Sequence, residues 1–202
     1  MIKIYMYNIM INSFEKIYKN NIWGSSGTGS RYSKRNQKLI NELNDFIINN
    51  DIKRIADYGC GDFEIMKHLN FENINYVGYD KVDFIINRNK NNYENDSIQF
   101  INTDDIPKDF DLVIVKDVLQ HHQDEDVIHL LNGLIQNNKY VYCINGYKFM
   151  RKPNNTVGES RNINNRYRYY PLHSIEQPLL QFKQYEIYKY TYYAKEYIIY
   201  KK

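Results

Sequence analysis

The stretch "IADYGCGDFEIMKHL", residues 55–69, decides the fold. It joins a short apolar run to a helix-like pattern through a turn that holds Gly59 and Gly61. Glycine lets the backbone approach a ligand closely, and a helix that follows such a turn offers unpaired N–H groups. In an open parallel sheet the turn after the first strand is a usual ligand cradle. The stretch therefore predicts that Asp57, Gly59, Cys60 and Gly61 bind a nucleoside-containing cofactor.

Between residues 33 and 146 the apolar pattern alternates between the periods of strands and helices. Ser33 is placed to cap the first predicted helix, and Asp124 the last. The predicted strands are 52–59, 74–80, 97–105, 110–119 and 139–146, and the helices after the first are 64–69, 82–93 and 124–138. Strands that alternate with helices predict an α/β fold with a mostly parallel sheet.

The remainder of the chain differs in character. A long polar segment is followed by Tyr-rich alternation, which predicts two strands that form an antiparallel edge hairpin. Nothing in the pattern indicates a second domain or a repeat. We therefore expect one domain over 1–202, made of an N-terminal helix and Gly/Ser-rich loop (1–32), a cofactor-binding core (33–146), a substrate lid (147–180) and a terminal hairpin (181–202).

Composition narrows the classes of protein only mildly. The chain has 27 basic and 24 acidic residues, and a net charge of +3 is too small to argue for a nucleic-acid partner. The excess of Asn, Ile, Lys and Tyr favours an AT-rich genome as the source. The two cysteines, Cys60 and Cys143, have no metal-ligand spacing, so we expect a reduced, cytoplasmic protein. The apolar start, residues 1–11, is interrupted and short, and we expect it to belong to the folded domain rather than to a leader or membrane span.

Acidic residues end the next two predicted strands. Asp80 lies 19 residues after Gly61, close to the roughly 20-residue offset at which an acidic side chain binds ribose hydroxyls. A third carboxylate, Asp104 or Asp105, ends the third strand, where an adenine could lie. Three carboxylates at one edge of a sheet favour a nucleoside cofactor over an ordinary tight connection.

With these features, residues 52–146 resemble the class I S-adenosylmethionine (SAM) dependent methyltransferases, whose product is S-adenosylhomocysteine (SAH). The resemblance rests on "DYGCGD", "YVGYD", "FINTDD" and "DLVIVKDVLQHH". It implies a three-layer Rossmann-like fold with a seven-stranded sheet and an antiparallel C-terminal hairpin. It also implies that the glycine turn holds the methionine part of SAM, Asp80 the ribose and Asp104 the adenine. The remaining residues expected at the cofactor are Lys81, Asp105, Lys116 and Asp117.

One position departs from the family pattern. The family's turn often carries a third glycine, where this chain has Phe63. A dinucleotide-dependent dehydrogenase is the competing interpretation of the turn. That class normally has the full G-x-G-x-x-G, and "GCGDFE" lacks the last glycine, so the methyltransferase is favoured.

A second resemblance covers the N-terminal stretch "FEKIYKNNIWGSSGTGS", residues 14–30. It is similar to the start of a methyltransferase group associated with glycan and polysaccharide gene clusters, although that group usually has a slightly longer loop. A Gly/Ser-rich loop ahead of the first helix can fold over a ligand, with Trp23 anchoring its start, and we expect Trp23 and Arg31 to contact the substrate. A flexible linker with a buried Trp23 is the alternative.

Methyl transfer to a hydroxyl benefits from a base near the acceptor proton, worth roughly 100- to 10,000-fold. In the fold implied by the resemblance, the carboxyl end of strand four faces the methyl donor. It carries His121 as the expected base, Asp117 to orient it or to contact SAM, and His122 as a second candidate. Packing or solvation explains either histidine equally well. A metal cluster in "HHQDED" is disfavoured, because the acidic residues fit a helix N-terminus, so no metal is expected.

The segment 147–180 is basic and aromatic, which suits a phosphate beside a sugar ring or planar base. The expected substrate residues there are Arg161, Arg166, Arg168 and Tyr169. We therefore expect O-methylation of a small acceptor, a sugar, nucleotide-sugar or glycan precursor, by a monomer or homodimer without a membrane partner. The alternatives are an RNA ribose 2'-O-methyltransferase, in which Asp117 and Lys148 would belong to a Lys-Asp-Lys-Glu tetrad, and a non-catalytic SAM-binding subunit.

Overall fold

The structure is a computed structural model that describes residues 14–22, 24, 26–30, 33–122, 124–146, 161–163, 166–168, 179–192 and 195–202. Contacts within the chain divide it into two compact units, Met1–Asp104 and Asp105–Lys202. Each unit has its own helices and strands, which are given in turn below.

Among its described residues, the first unit holds three parallel strands, two longer helices and several short helical segments. Its elements are helix α1 (Lys34–Asn49), strand β1 (Arg54–Tyr58), strand β2 (Asn75–Asp80), helix α2 (Asp83–Tyr93) and strand β3 (Ile98–Asn102). Residues 14–19 are also helical, and Thr28–Ser30 forms a 3-10 turn. In the register, Asp57 lies beside Gly78 and Asp80 beside Asn102. The parallel register therefore brings the carboxyl ends of all three strands to one edge of the sheet.

The second unit combines a parallel pair with antiparallel strands. Its main elements are strand β4 (Leu112–Lys116), helix α3 (Asp124–Asn137), strand β5 (Tyr140–Gly146), strands β6 (Arg161–Ile163) and β7 (Arg166–Arg168), and strands β8 (Glu186–Tyr192) and β9 (Lys195–Lys201). Two 3-10 helices, Leu119–His121 and Leu179–Tyr185, complete it. β5 is parallel to β4 and antiparallel to β9, and β9 is antiparallel to β8.

Seven of the strands form a mixed sheet in the order β3-β2-β1-β4-β5-β9-β8, and β6 pairs with β7 in a separate two-stranded sheet. The sequence-based prediction of a seven-stranded, mostly parallel sheet with an antiparallel C-terminal hairpin is confirmed. The observed strands β1–β5 are shorter than the predicted ranges by one to five residues.

Helix α1 begins where its capping residue predicts. Ser33 is extended, and its hydroxyl accepts a hydrogen bond of 3.4 Å from the N–H of Asn36, which satisfies one of the unpaired donors of the first turn. The residues that α1 buries lie on one face: Asn36, Leu39, Ile40, Leu43 and Ile47. Within the described residues, no helix is long and apolar enough to cross a membrane.

The helix predicted at 64–69 is wrong. This segment forms only a single 3-10 turn, Met66–His68, and Leu69 is already extended with ψ 151°. No side chain caps the turn at Ile65, although the N–H of Glu64 is bonded to Asp62 Oδ1 at 3.3 Å and the N–H of Lys67 to the carbonyl of Phe63 at 3.1 Å. The chain therefore passes from β1 to β2 without a long helix, and the glycine turn must find other partners for its backbone.

Phe63 explains the missing third glycine. Its φ of 61° lies in the left-handed region that glycine adopts at little cost. Its ring is 2% exposed and packs against Phe71, Tyr76, Tyr93 and Phe100, with ring centroids 5.1–6.0 Å apart. Burial of a large ring can offset a strained backbone, which costs about 1–2 kcal/mol in this region. Phe63 thus combines a left-handed backbone with a buried ring beneath the turn.

We predict that Phe63→Ala lowers the free energy of unfolding by roughly 3–5 kcal/mol, because it empties the centre of the aromatic cluster. Phe63→Gly loses the same ring but relieves the left-handed strain, so it should be no less stable than Phe63→Ala. Urea unfolding of both variants and of the exposed control Ile101→Ala measures this. A glycine variant at least ~1 kcal/mol less stable than the alanine variant, as at ordinary positions, would contradict it.

Candidate functional site

The glycine turn after β1 has the backbone that its sequence predicts. Gly59 and Gly61 have φ of 78° and 55°, a region that other residues adopt with strain. The N–H groups of Gly59 and Cys60 both donate to the carbonyl of Tyr79, at 2.8 and 3.0 Å. The turn is therefore fastened to the end of β2 by its own backbone rather than by a following helix.

Asp80 connects the glycine turn to the start of α2. Its Oδ2 accepts a hydrogen bond of 3.1 Å from the N–H of Gly61, and its Oδ1 accepts one of 2.9 Å from the N–H of Val82. Burial raises the pKa of Asp80, and the N–H groups of Val82 and Gly61 and the charge of Lys81 oppose that rise. The structure thus joins the two residues, Gly61 and Asp80, that the sequence assigns to one cofactor.

Asp57 supports the turn from within the core. It is 2% exposed, and its Oδ2 accepts a hydrogen bond of 2.6 Å from the hydroxyl of Tyr76. Burial and the neighbouring Asp57 raise the pKa of Tyr76, so this hydroxyl remains a donor. The structure therefore gives Asp57 a partner in β2.

The Gly/Ser segment, meaning Gly24 and residues 26–30, returns to the glycine turn. The N–H of Ser26 donates to Asp62 Oδ2 at 2.8 Å, and the N–H of Asp62 donates to Ser26 Oγ at 2.9 Å. Tyr18 Oη shares a further hydrogen bond of 2.9 Å with Ser26 Oγ. This Ser26–Asp62 clasp joins residues 36 positions apart and was not foreseen from the sequence.

The other predicted cofactor residues of this unit lie around the same edge. Cys60 is half-buried, and burial together with the charges of Asp80 and Asp57 raises the pKa of its thiol. Lys81 is also half-buried, directly after Asp80. Asp104 follows β3 and is exposed, and its carbonyl accepts a hydrogen bond of 3.2 Å from the hydroxyl of Tyr58. Asp105, also exposed, falls in the second unit.

In the second unit, Asp117 lies between two lysines. Lys116 Nζ is 2.8 Å from Asp117 Oδ2, and Lys195 Nζ donates to Asp117 Oδ1. The side chains are 9%, 19% and 13% exposed for Lys116, Asp117 and Lys195, so water screens these pairs weakly. Lys195, at the start of β9, is thereby fastened to the residue that follows β4, a contact across 78 positions that no local pattern indicates.

The backbone and the charge of Asp117 are both unusual. Its φ of 60° is in the left-handed region, and its N–H donates to the carbonyl of Ile144 at 2.8 Å. Burial by itself raises the pKa of Asp117, but the charges of Lys116 and Lys195 and their hydrogen bonds outweigh burial and hold the pKa well below its usual range. Strained backbone held by its surroundings is common at functional sites.

The two candidate bases follow closely. His121 ends the 3-10 helix Leu119–His121, and His122 is the residue that caps it, with its N–H bonded to the carbonyl of Leu119 at 3.1 Å. Both side chains are half-buried. The assignment of a base to either histidine stays a prediction.

Half of the six predicted substrate residues lie outside what the structure describes, as does Lys148 of the alternative tetrad. Trp23, Arg31, Tyr169 and Lys148 are outside the described residues. For the three arginines of the lid the backbone alone is described, and it places Arg161 opposite Arg168 in the β6–β7 pair. Among the side chains that the structure does describe, no group of three or more His, Cys, Asp or Glu residues could hold a metal ion.

Comparison with known proteins identifies solved structures that share the fold of this chain. No protein-family model matches the sequence, and no curated protein matches it. Among similar solved structures is DhpI in complex with SAH, with 13% identity over 94% of this chain and 95% of that one, and a TM-score of 0.66. Another is magnesium protoporphyrin IX methyltransferase (ChlM) from Synechocystis PCC 6803 with bound SAH, with 11% identity over 95% and 97%, and a TM-score of 0.64.

A third, the mitomycin 7-O-methyltransferase MmcR, has 14% identity and a TM-score of 0.58, over 81% of this chain and 54% of that one. The chain thus spans about half the length of the mitomycin enzyme and nearly all of the other two. At these identities the likeness concerns the fold. The expectation of a class I methyltransferase fold is therefore confirmed, while the expected link to glycan gene clusters remains a prediction.

We predict that Asp117→Asn destabilises the protein at pH 7 by less than the roughly 3–5 kcal/mol of a fully buried pair, because the three side chains are partly exposed. A depressed carboxyl pKa stabilises the fold above the ordinary value, about 4, and this stabilisation is lost as pH falls towards the folded-state pKa. The stability difference between wild type and variant should therefore shrink as the pH falls from about 5 to about 3, a range that brackets the ordinary carboxyl pKa.

Urea unfolding at several pH values measures the difference. At pH 7 the surface variant Asp96→Asn serves as the control and should stay within ~0.5 kcal/mol of wild type. A stability gap for Asp117→Asn that widens as the solution is acidified would contradict the ion-pair role.

Proposed function

We propose that this chain is a SAM-dependent methyltransferase that methylates a hydroxyl of a small acceptor, a sugar, nucleotide-sugar or glycan precursor. The observation that carries the proposal is the hydrogen bond between the N–H of Gly61 and the carboxylate of Asp80. It unites the glycine turn after β1 and the acidic end of β2, the two features that a nucleoside cofactor requires in this fold.

The residues present fit such a cofactor. Gly59 and Gly61 have positive φ and no side chain, so Gly59 leaves room for a ligand to approach the turn, while the backbone groups of Gly61 are bonded to Asp80 and Asn89. Asp80 accepts hydrogen bonds from the N–H groups of Gly61 and Val82, and an ionised carboxylate has about four lone-pair sites, so it retains capacity for a ribose hydroxyl. The neighbours DhpI and ChlM were crystallised with SAH, which supports SAM as the cofactor and SAH as the product.

When bound, SAM supplies an electrophilic methyl group, so the protein's task is alignment and proton removal. In this proposal the hydrogen bond between Asp57 and Tyr76 fixes β1 against β2 below the glycine turn, and Asp80 binds the ribose. Lys81, Asp104 and Asp105 lie beside that edge in the sequence and serve the adenosine part.

On the acceptor side, His121 takes the proton of the acceptor hydroxyl, with His122 as the second candidate. Asp117 is bonded to Lys116 and Lys195, so it fixes the start of β9 beside the segment that carries His121. The arginines of 161–168, with Trp23, Arg31 and Tyr169, are proposed to bind an acceptor that has a phosphate beside a sugar ring.

Transfer of a labelled methyl group tests the reaction. The acceptor panel contains nucleotide-sugars, free sugars and short capped and uncapped RNAs. We expect label on a sugar acceptor, a loss of roughly 100-fold or more in His121→Ala, and normal transfer in the control His129→Ala, an exposed residue of α3. Tight SAH binding without label on any acceptor would favour a non-catalytic SAM-binding subunit instead.

One observation favours a second candidate, an RNA ribose 2'-O-methyltransferase. Asp117 is paired with two lysines, and buried Glu196 follows Lys195 in β9, where it lies 3.1 Å from Lys189 Nζ. All four residue types of a Lys-Asp-Lys-Glu tetrad are therefore present here: the two lysines contact Asp117, and the glutamate is the sequence neighbour of one of them. RNA binding weakens steeply with salt through counterion release, so affinity for RNA that does not change with salt would exclude this candidate.

We predict that Asp80→Ala lowers the affinity for SAH roughly tenfold or more, because each charge-assisted hydrogen bond contributes ~1.5–3 kcal/mol. Isothermal titration calorimetry measures the affinity, and circular dichroism verifies the fold. Asp83→Ala, an exposed residue three positions later at the start of α2, is the matched control and should bind SAH like wild type. Unchanged affinity in Asp80→Ala would remove Asp80 from the cofactor site.

A further inference from the structure

The Gly/Ser segment makes a specific contact with the glycine turn. Ser26 and Asp62 exchange two hydrogen bonds, one from each backbone N–H to the other's side chain, at 2.8 and 2.9 Å. A flexible linker would not make reciprocal bonds of this kind, since each one fixes both a side chain and a backbone direction. Asp62 also accepts from the N–H of Glu64 at 3.3 Å, so the clasp extends along the turn.

The clasp lies where a side chain of Gly61 would be. A Cβ built on Gly61 would overlap Ser26 Oγ and lie 3.1 Å from Tyr18 Oη. Gly61 is therefore required here for two reasons, its positive φ and the presence of Ser26 and Tyr18 against its Cα. The sequence pattern of the turn predicts the positive φ, whereas the contact with Ser26 comes from a segment over thirty residues away.

The N–H, the carbonyl and the Cα of Gly61 each contact a different part of the first unit. Its N–H donates to Asp80, its carbonyl accepts a 2.7 Å hydrogen bond from buried Asn89 of α2, and its Cα faces Ser26 and Tyr18. The N–H of Asp62, which would otherwise be a free donor at the turn, is satisfied by Ser26 Oγ. The orientation of Gly61 therefore depends on the N-terminal segment as well as on Asp80.

We infer that Ser26, assisted by Tyr18 and Asp62, is a positioning residue that holds the Gly59–Gly61 turn in the shape that binds SAM and SAH. This inference rests on the proposed function, and it assigns the N-terminal segment to the cofactor side of the site. Ser26 acts through Asp62 and Gly61 and need not touch the cofactor itself.

The test compares SAH affinities measured by calorimetry, together with the thermal midpoint of each protein without ligand. Ser26→Ala should weaken SAH binding about fivefold to tenfold, as expected for the loss of the hydroxyl that pairs with Asp62. Asp62→Ala should weaken it similarly, Asp62→Asn less, because the amide oxygen still accepts from Ser26, and Tyr18→Phe measurably. In the double variant Ser26→Ala/Asp62→Ala the losses should fall short of additivity, since the two side chains act as one unit.

Ser33→Ala separates positioning from general stability. It removes the cap of α1, so it should lower the thermal midpoint at least as much as Ser26→Ala while leaving SAH affinity unchanged. If Ser26→Ala binds SAH like wild type, or if Ser33→Ala weakens binding equally, the positioning role is wrong. If the wild-type protein itself fails to bind SAH, the proposed function falls, and this inference falls with it.

Discussion

The bond between the N–H of Gly61 and the carboxylate of Asp80 is the constraint on which the first unit depends. It joins the turn after β1 to the end of the neighbouring strand β2. The same carboxylate also accepts a hydrogen bond from the N–H of Val82, the residue just before α2. Because a buried carboxylate is costly to ionise, the fold must supply donors to it, and two backbone N–H groups and the charge of Lys81 do so. These backbone donors compensate the burial of the carboxylate without any ligand.

The second unit uses charge in a different way. Asp117 has a left-handed backbone and is bonded to two lysines, one its neighbour and one at the start of the terminal hairpin. Removing the carboxylate of Asp117 would leave two partly buried lysines without their shared partner, so both ion pairs depend on Asp117. The terminal hairpin thus takes part in organising the residues that follow β4.

The sequence predicted the elements whose signals are local. β1–β5 and the terminal hairpin follow from apolar runs and alternation, and Ser33 caps α1 as its type suggests. The prediction of a helix after the glycine turn was wrong, because Phe63 has a left-handed backbone there and no side chain caps the turn at Ile65. The clasp between Ser26 and Asp62 and the pair of Lys195 with Asp117 join residues 36 and 78 positions apart, so no periodicity could reveal them. A visible signal existed only for Asp62, the second acidic residue of the opening stretch.

Candidate cofactor residues could be located from the sequence because a glycine turn and an acidic strand end occur at fixed offsets, whereas an acceptor site has no such pattern. The most direct measurement is a crystal structure of the protein grown with SAH. The account predicts ribose oxygens within hydrogen-bond distance of Asp80, the amino-acid part of SAH along Gly59–Gly61, and an intact Ser26–Asp62 clasp. A ligand bound elsewhere, or a bound SAH with Asp80 directed away from the ribose, would contradict it.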